Sequence, residues 1–326
     1  MKSISIWENL PKPFFVLAPM ENVTDTVFRQ IVISCGKPDL FFTEFTNTDG
    51  MTSIGRTVVE KRLLFTPEER PLIAQIWGTN PKHFYETAKI CQEMGFSGID
   101  LNMGCPVKDV MMHGSCSALI DNPSLAKELI QATKDGAGDL PVSVKTRIGT
   151  KAIKTEEWVT FLLKQDLAAL TIHGRTAKEQ SLVPAHWEEI GKAVQIRNKM
   201  GLQTKIVGNG DIESREEGIK KAEMYELDGI MIGRGIFKNP WVFSQHIPLS
   251  NVTPKMRLEK LLEHIELFER TWAGNKPFPT LKKFVKAYVQ GFTNASDVRA
   301  ICMETKTAEE LKFYIHTVLN NSTSIV

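Results

Sequence analysis

Eight short apolar segments, each followed by a helix-like or polar stretch, predict a (β/α)8 TIM barrel followed by a small all-helical domain. The segments lie at residues 14–18, 40–45, 72–77, 99–103, 142–146, 168–172, 205–208 and 229–232, within the length such a barrel takes. They are apolar on both faces, as parallel strands covered by helices must be. An open doubly wound sheet fits eight such alternations less well. Beyond Trp241 only helical spacing is found, over 254–270, 280–290 and 307–319. The expected domains are residues 1–246 and 247–326.

Each element carries local signals. After the first strand, Val23, Val27, Phe28, Ile31 and Val32 share one helical face, and Gly36 lies just beyond it. A polar loop to about Gly55 follows the second strand. Asn80-Pro81 and Asn122-Pro123 each put a capping side chain before a proline at the first helical position. Phe84, Ala88, Cys91 and Met94 form the buried stripe of the first of these helices, and Leu125, Leu129 and Ile130 that of the second. Trp158, Phe161 and Leu162 mark a helix from about Thr155; Ile190, Val194 and Ile196 mark the next. Ser214 with Glu217 three residues on makes a capping box for the last barrel helix.

Apolar residues make up 42% of the chain and charged residues 24%, as in a globular enzyme, and a net charge of +2 does not announce a nucleic-acid binder. Cys35, Cys91, Cys105, Cys116 and Cys302 form no C-x-x-C pair, which argues against a disulfide framework or a cysteine-rich zinc site and for a reducing compartment. The N-terminus lacks a basic stretch before an apolar core, and no apolar run approaches the ~20 residues that cross a bilayer. A soluble cytoplasmic chain without membrane contact is expected. Residues 271–296 hold Lys276, Lys282, Lys283 and Lys286 and no acid, with Phe278, Phe284, Tyr288 and Phe292 between them. Aromatics turned inward and lysines in solvent describe an amphipathic helix; lysines left unneutralised also suit phosphates.

Catalytic groups of such barrels sit where strands end. The fourth strand breaks at Gly104-Cys105-Pro106, because Pro106 cannot donate to the ladder and disfavours helix for Cys105. That presents the Cys105 thiol on a loop, although a free cysteine is also a common inert core residue. Loops after strands seven and eight often bind phosphate, and here they read Gly208-Asn-Gly-Asp211 and Gly233-Arg-Gly235. Glycines let the backbone approach an anion, and Arg234 adds a bidentate donor. Lys145, inside an apolar strand, reads either as a Schiff-base lysine or as a fixed cation beside a cofactor ring. His173, at the end of strand six, is either a core histidine or a wall of the same cavity; Gln75 lies on strand three.

With these motifs in hand, the chain resembles the tRNA-dihydrouridine synthases, FMN-dependent enzymes that reduce uridine in tRNA. The matching stretches are Ala18-Pro-Met-Glu-Asn-Val-Thr-Asp25, Asp100-Leu-Asn-Met-Gly-Cys-Pro106, Val144-Lys-Thr-Arg147, His173-Gly-Arg-Thr176, Asn209-Gly-Asp211, Met231-Ile-Gly-Arg234 and, more loosely, Lys282-Lys-Phe-Val-Lys-Ala-Tyr288. The resemblance implies an FMN barrel, reduced by NADPH, with a helical domain that binds tRNA, acting as a monomer. It implies that Pro19, Met20 and Glu21 lie along the isoalloxazine and that Gln75, Lys145 and His173 contact the flavin. Asn209, Gly210, Asp211, Gly233 and Arg234 would hold the ribityl phosphate end. Asn102 and Arg175 would address the uracil, Lys282, Lys283 and Lys286 the RNA backbone, and Cys105 would protonate C5 while the hydride goes to C6.

A thiol of pKa about 8.5 is protonated at neutral pH, as that role needs. One departure stands out. The family usually has Gly-x-Gly-Ala-Ala-Leu where this chain has Gly114-Ser-Cys-Ser-Ala-Leu119, so Cys116 is a candidate partner thiol under oxidation. Met111 and Met112 stand where basic side chains are common. Rival readings are an FMN barrel acting on a small free pyrimidine or enone, a Schiff-base lyase using Lys145, and an RNA-binding module with an inactive barrel.

Overall fold

The computed structural model describes residues 6–321. Eight parallel strands form one sheet in the order β1-β8-β7-β6-β5-β4-β3-β2. They are β1 Phe14–Leu17, β2 Phe41–Asn47, β3 Leu72–Trp77, β4 Gly98–Met103, β5 Val142–Arg147, β6 Ala169–His173, β7 Lys205–Asn209 and β8 Gly229–Ile232. The sheet closes where Val16 bridges Leu40, so the outline is the (β/α)8 barrel expected. Five long helices alternate with the later strands: α2 Pro81–Glu93, α3 Pro123–Ala137, α4 Thr155–Leu163, α5 Trp187–Lys199 and α6 Arg215–Met224, with α1 Thr26–Cys35 ahead of them.

The caps sit where the sequence places them. The side chains of Asn80, Asn122 and Ser214 accept from the backbones of Lys82, Leu125 and Glu217. Glu217 returns its carboxylate to Glu213 N rather than to Ser214, so only half of the expected capping box forms. Helices α2 and α3 pack closely because residue 136 is glycine: a Cβ there would lie 2.2 Å from the Tyr85 carbonyl oxygen.

The barrel interior is layered. Trp7, Phe14, Val16, Leu40, Phe42, Ile73, Ala169 and Val207 fill its lower part with apolar volume. Higher up, register places Gln75 beside Asp100, Asp100 beside Ser143, Asn102 beside Lys145, Lys145 beside Thr171, Arg147 beside His173 and His173 beside Asn209. Inward positions recur every second residue, so one polar row crosses five strands at their C-terminal ends. A cavity of about 660 Å³ at the opposite ends of β5–β7 is lined by Trp7, Lys134, Val142, Ala168 and Lys205 and by none of the expected site residues.

The chain divides into two compact units, residues 1–26 with 38–233, and residues 27–37 with 234–326. The sequence suggests one boundary after residue 246, because the apolar face of α1 reads like that of any barrel helix. In the second unit Phe28 of α1 stacks on Phe284 at 4.8 Å and Phe237 at 6.1 Å, contacts that no local pattern announces. The C-terminal helices are α7 Pro254–Trp272, α8 Ala295–Glu304 and α9 Ala308–Asn320.

The expected helix over 280–290 is broken: 3-10 turns at Phe278–Thr280 and Lys282–Phe284 precede a single α-turn at Val285–Tyr288. Pro277 and Pro279 bring no N–H to the start of a continuous ladder. No capping signal in the sequence announces helix α8, whose cap residue Asn294 is left-handed and makes no side-chain capping bond. No helix among the described residues is long and apolar enough to cross a membrane.

Candidate active site at the barrel mouth

The fourth strand supplies the centre of the site. Asn102 Oδ1 accepts from the backbone N–H groups of Gly104 and Cys105, both at 3.0 Å, and so shapes the turn that the glycine and proline permit. Asn102 Nδ2 donates to Gln75 Oε1 at 3.1 Å, and Gln75 Nε2 donates to Asp100 Oδ2 at 2.7 Å. Ser143 Oγ donates to the other Asp100 oxygen at 2.6 Å. Burial pushes the Asp100 carboxyl up to about 6, against the pull of Ser143, Gln75 and nearby Lys145. Gln75 is therefore enclosed in the wall, with each end of its amide engaged, and its contact to a cofactor edge is limited to its remaining N–H and lone pair.

Cys105 is half-buried, and its Sγ accepts the Cys116 S–H. That bond is the main cause that draws the Cys105 thiol down to about 6; burial opposes it, the Val107 N–H and the Arg147 charge add to it, and Glu21 works against it. Cys116 is 1% exposed, and its own thiol is pushed well above the ordinary value by Cys105 and by burial. Cys105 thus gives up its proton more readily than the unperturbed thiol that the sequence leads one to expect. The cause is a side chain eleven positions along that only the folded loop brings near.

Lys145 Nζ donates to Asn209 Oδ1 at 3.1 Å, and Asn209 Nδ2 donates to the Met231 carbonyl at 2.9 Å. Burial and the Arg147 charge lower Lys145 to about 8, while Asp100 and Cys105 hold it up. The Cys105 charge reaches Lys145, whose neighbour on β4 is Asn102, the residue that shapes the cysteine turn. Arg147 donates from Nε to Gly104 O at 2.8 Å and from Nη1 to the carbonyls of Thr176 and Gln180, tying the cysteine turn to the loop after β6.

At the exit of β1, Pro19 is buried and Met20 partly exposed. Glu21 Oε1 accepts both Nε and Nη2 of Arg62, at 3.0 and 2.7 Å, while Glu21 Oε2 is buried with no partner among the described residues. Asn22 N donates to Glu44 on β2.

Several expected ligands have other work. Arg175 is 2% exposed and its guanidinium donates to Asp211, to the Val183 carbonyl at 2.6 Å and to His173 Nε2 at 3.2 Å. It holds the loop after β6 instead of presenting an open donor to a substrate. Asp211 also accepts Ala185 N at 3.0 Å, so its carboxylate secures that loop, and the Asn209 side chain braces Lys145; neither points a free donor at a phosphate. The turn backbone keeps the phosphate geometry open. Gly210, at φ 141°, is required by Ala185, whose Cβ would lie 2.6 Å from an added Cβ. Gly233 has nothing nearer to such a Cβ than Ala18 at 3.6 Å, and Arg234 beyond it is exposed.

In the second unit Lys282 Nζ donates to the carbonyls of Met303, at 2.8 Å, and Thr305, which caps the end of α8 and takes it out of the expected phosphate set. Lys283 and Lys286 are exposed, Lys283 with its ammonium 5.5 Å from the Phe284 ring. Phe284 and Tyr288 are buried, as an amphipathic reading requires.

Sequence reasoning marks Cys116 only as a candidate partner thiol, and it does not mark Glu44, Arg62 or Asp100 as parts of one site. Asp100 is the exception in principle, since Asp100 and Asn102 alternate in an apolar strand and so face the interior together.

The family model described as Dihydrouridine synthase (Dus) matches residues 16–323. The "Probable tRNA-dihydrouridine synthase 2" of Bacillus subtilis (strain 168) is 47% identical over 311 residues, 94% of each chain. The "Probable tRNA-dihydrouridine synthase" of Staphylococcus aureus (strain COL) is 46% identical over the same span. Among solved structures, histamine dehydrogenase from Rhizobium sp. 4-9 is similar in fold alone, with a TM-score of 0.54 and 12% identity over 78% of this chain and 48% of that one. On the match over almost its whole length, this chain belongs to the dihydrouridine synthase family.

Proposed function

We propose that this protein reduces the C5=C6 bond of particular uridines in tRNA, with FMN as cofactor and NADPH as electron donor, as a monomer in the cytoplasm. The observation that carries the reading is that Cys105, in the turn after β4, and Lys145, on neighbouring β5 beside Asn102, stand at one barrel mouth, where the Cys105 charge acts on the Lys145 ammonium. The chain's own groups suit a flavin. Among the described residues Glu21 Oε2, in the turn after β1, and Thr171 Oγ1, on β6, are buried without a partner, and Lys145 Nζ makes one hydrogen bond, leaving donors for a pyrimidine edge.

Met20 and Pro19 would flank the ring, and the backbone at Gly210 and Gly233, with Arg234 next in sequence, would take the phosphate. FMN, when bound, supplies the hydride for C6 and is recharged by NADPH. Cys105 Sγ holds the proton that goes to C5; a depressed pKa makes its protonated form a stronger acid, at the expense of the fraction present. Asn102 fixes the cysteine turn, and Arg175 is a positioning residue through His173 and Asp211. Residues 247–326 would bind RNA through Lys283 and Lys286, and the target base must leave its stack to reach the mouth.

The test is dihydrouridine formation, read by mass spectrometry, when purified protein, FMN and NADPH act on tRNA from a strain lacking the gene. Cys105→Ala should keep flavin and tRNA binding and lose most turnover. Full activity in that variant would remove Cys105 from the chemistry.

A further inference from the structure

Cys116 passes neither proton nor hydride to uridine in the reading above, yet it is held against Cys105. Ser117 N donates to the Cys105 carbonyl at 3.3 Å, which ties the chain at Cys116 to the cysteine turn. The thiol of Cys116 meets that of Cys105 directly. Cys116 also keeps its side chain at φ 54°, a left-handed conformation that glycine would adopt without strain.

The surroundings separate this pair from the other cysteines. Arg147, whose Nε reaches the neighbouring Gly104 carbonyl, sets a cation beside Cys105, and Cys105 is half-buried. Cys35, Cys91 and Cys302 are buried, and burial pushes each of their thiols up to about 12. Thiolate character and access decide which cysteine an oxidant attacks.

We propose that Cys105 and Cys116 are a peroxide-oxidisable pair, in which Cys105 is attacked and Cys116 resolves it as an intramolecular disulfide. In the first step the Cys105 thiolate attacks one oxygen of hydrogen peroxide; the S–O bond forms, the O–O bond breaks, and hydroxide leaves. In the second, Cys116 sulfur attacks the sulfenic sulfur; the S–S bond forms, the S–O bond breaks, and the departing hydroxide takes the Cys116 proton as water. The pair loses two electrons and the peroxide is reduced to water. The disulfide does not depend on what the protein reduces. Its consequence does: if Cys105 is the proton donor, oxidation stops turnover reversibly and protects the sulfur from sulfinic acid.

The experiment treats the full-length protein, as purified and without NADPH, with increments of hydrogen peroxide. It is then denatured, alkylated, digested with trypsin and analysed by mass spectrometry. The expected product links peptide 90–108 to peptide 109–127 through Cys105 and Cys116, about 2 Da lighter than the reduced pair. It should be cleaved by dithiothreitol, with Cys35, Cys91 and Cys302 still alkylated. In Cys116→Ser, Cys105 should instead be trapped by dimedone and pass to sulfinic acid that dithiothreitol does not restore. The proposal is overturned if wild-type Cys105 goes to sulfinic acid while Cys116 stays alkylatable. It is equally overturned if both thiols survive a dose that oxidises free cysteine.

Discussion

At the scale of single residues, the site is governed by groups that change the charge of their neighbours. With its pKa drawn down to about 6, Cys105 gives up its proton at a lower pH than a free thiol. An acid must be protonated to act, so kcat/KM for uridine reduction should be full below that value and fall about tenfold per pH unit above it. Cys116→Ala removes the first cause of the shift, and the falling limb should move towards the ordinary thiol value of about 8.5. A pH profile of iodoacetamide alkylation at Cys105 reads the same change without turnover; an unmoved midpoint would rule out Cys116 as its cause.

Lys145→Met should weaken flavin retention, measured by absorbance after gel filtration, because a half-buried cation held by Asn209 at the barrel mouth is lost. None of these values is legible along the chain. Cys105 and Cys116 are visible as residues, but burial and partner set their chemistry.

At the scale of elements, the strands are the most legible part of the molecule and the loops the least. Period-two alternation in the strand at Gly98–Met103 puts Asp100 and Asn102 on the inner face, and the cap-then-proline starts of α2 and α3 form as read. By contrast, Glu21 meets Arg62 across 41 residues and Arg175 meets Asp211 across 36, pairings that only closure of the barrel selects. Arg175 is nearly enclosed, so Asp211→Asn leaves a buried guanidinium without its counter-charge. With Asp211 itself partly in water, the cost should be about 2 kcal/mol, below the 3–5 of a fully buried pair. Hydrogen exchange should show the loop at 176–186 opening first, and unchanged protection there would deny the clamp. Gly136→Ala forces a methyl onto the Tyr85 carbonyl and should cost about 1–3 kcal/mol, seen as a lowered Tm with flavin binding intact once folded.

At the scale of the whole molecule, net charge says little and its placement says more. Lys283 and Lys286 are exposed in a segment without acids, whereas Lys282 is spent on the end of α8. Lys283→Ala with Lys286→Ala should weaken tRNA binding and flatten its salt dependence by about two phosphate contacts. Lys282→Ala should lower stability and leave the salt slope unchanged. An unaltered slope in the double variant would move the RNA surface elsewhere. The lysine run looks uniform in sequence because carbonyls of Met303 and Thr305, twenty residues on, decide which of its members is occupied.

By itself the sequence determined the eight strands, the helix caps, the thiol on the fourth strand's exit and the motifs that carry the family likeness, since all of these follow from spacing and from local backbone chemistry. Only the tertiary structure decided that α1 joins the C-terminal helices, that Arg175, Asn209 and Asp211 brace the mouth, and that two thiols share one hydrogen bond. Those outcomes depend on which distant groups barrel closure and core packing bring within a few ångströms, and the order of residues along a chain does not contain that distance.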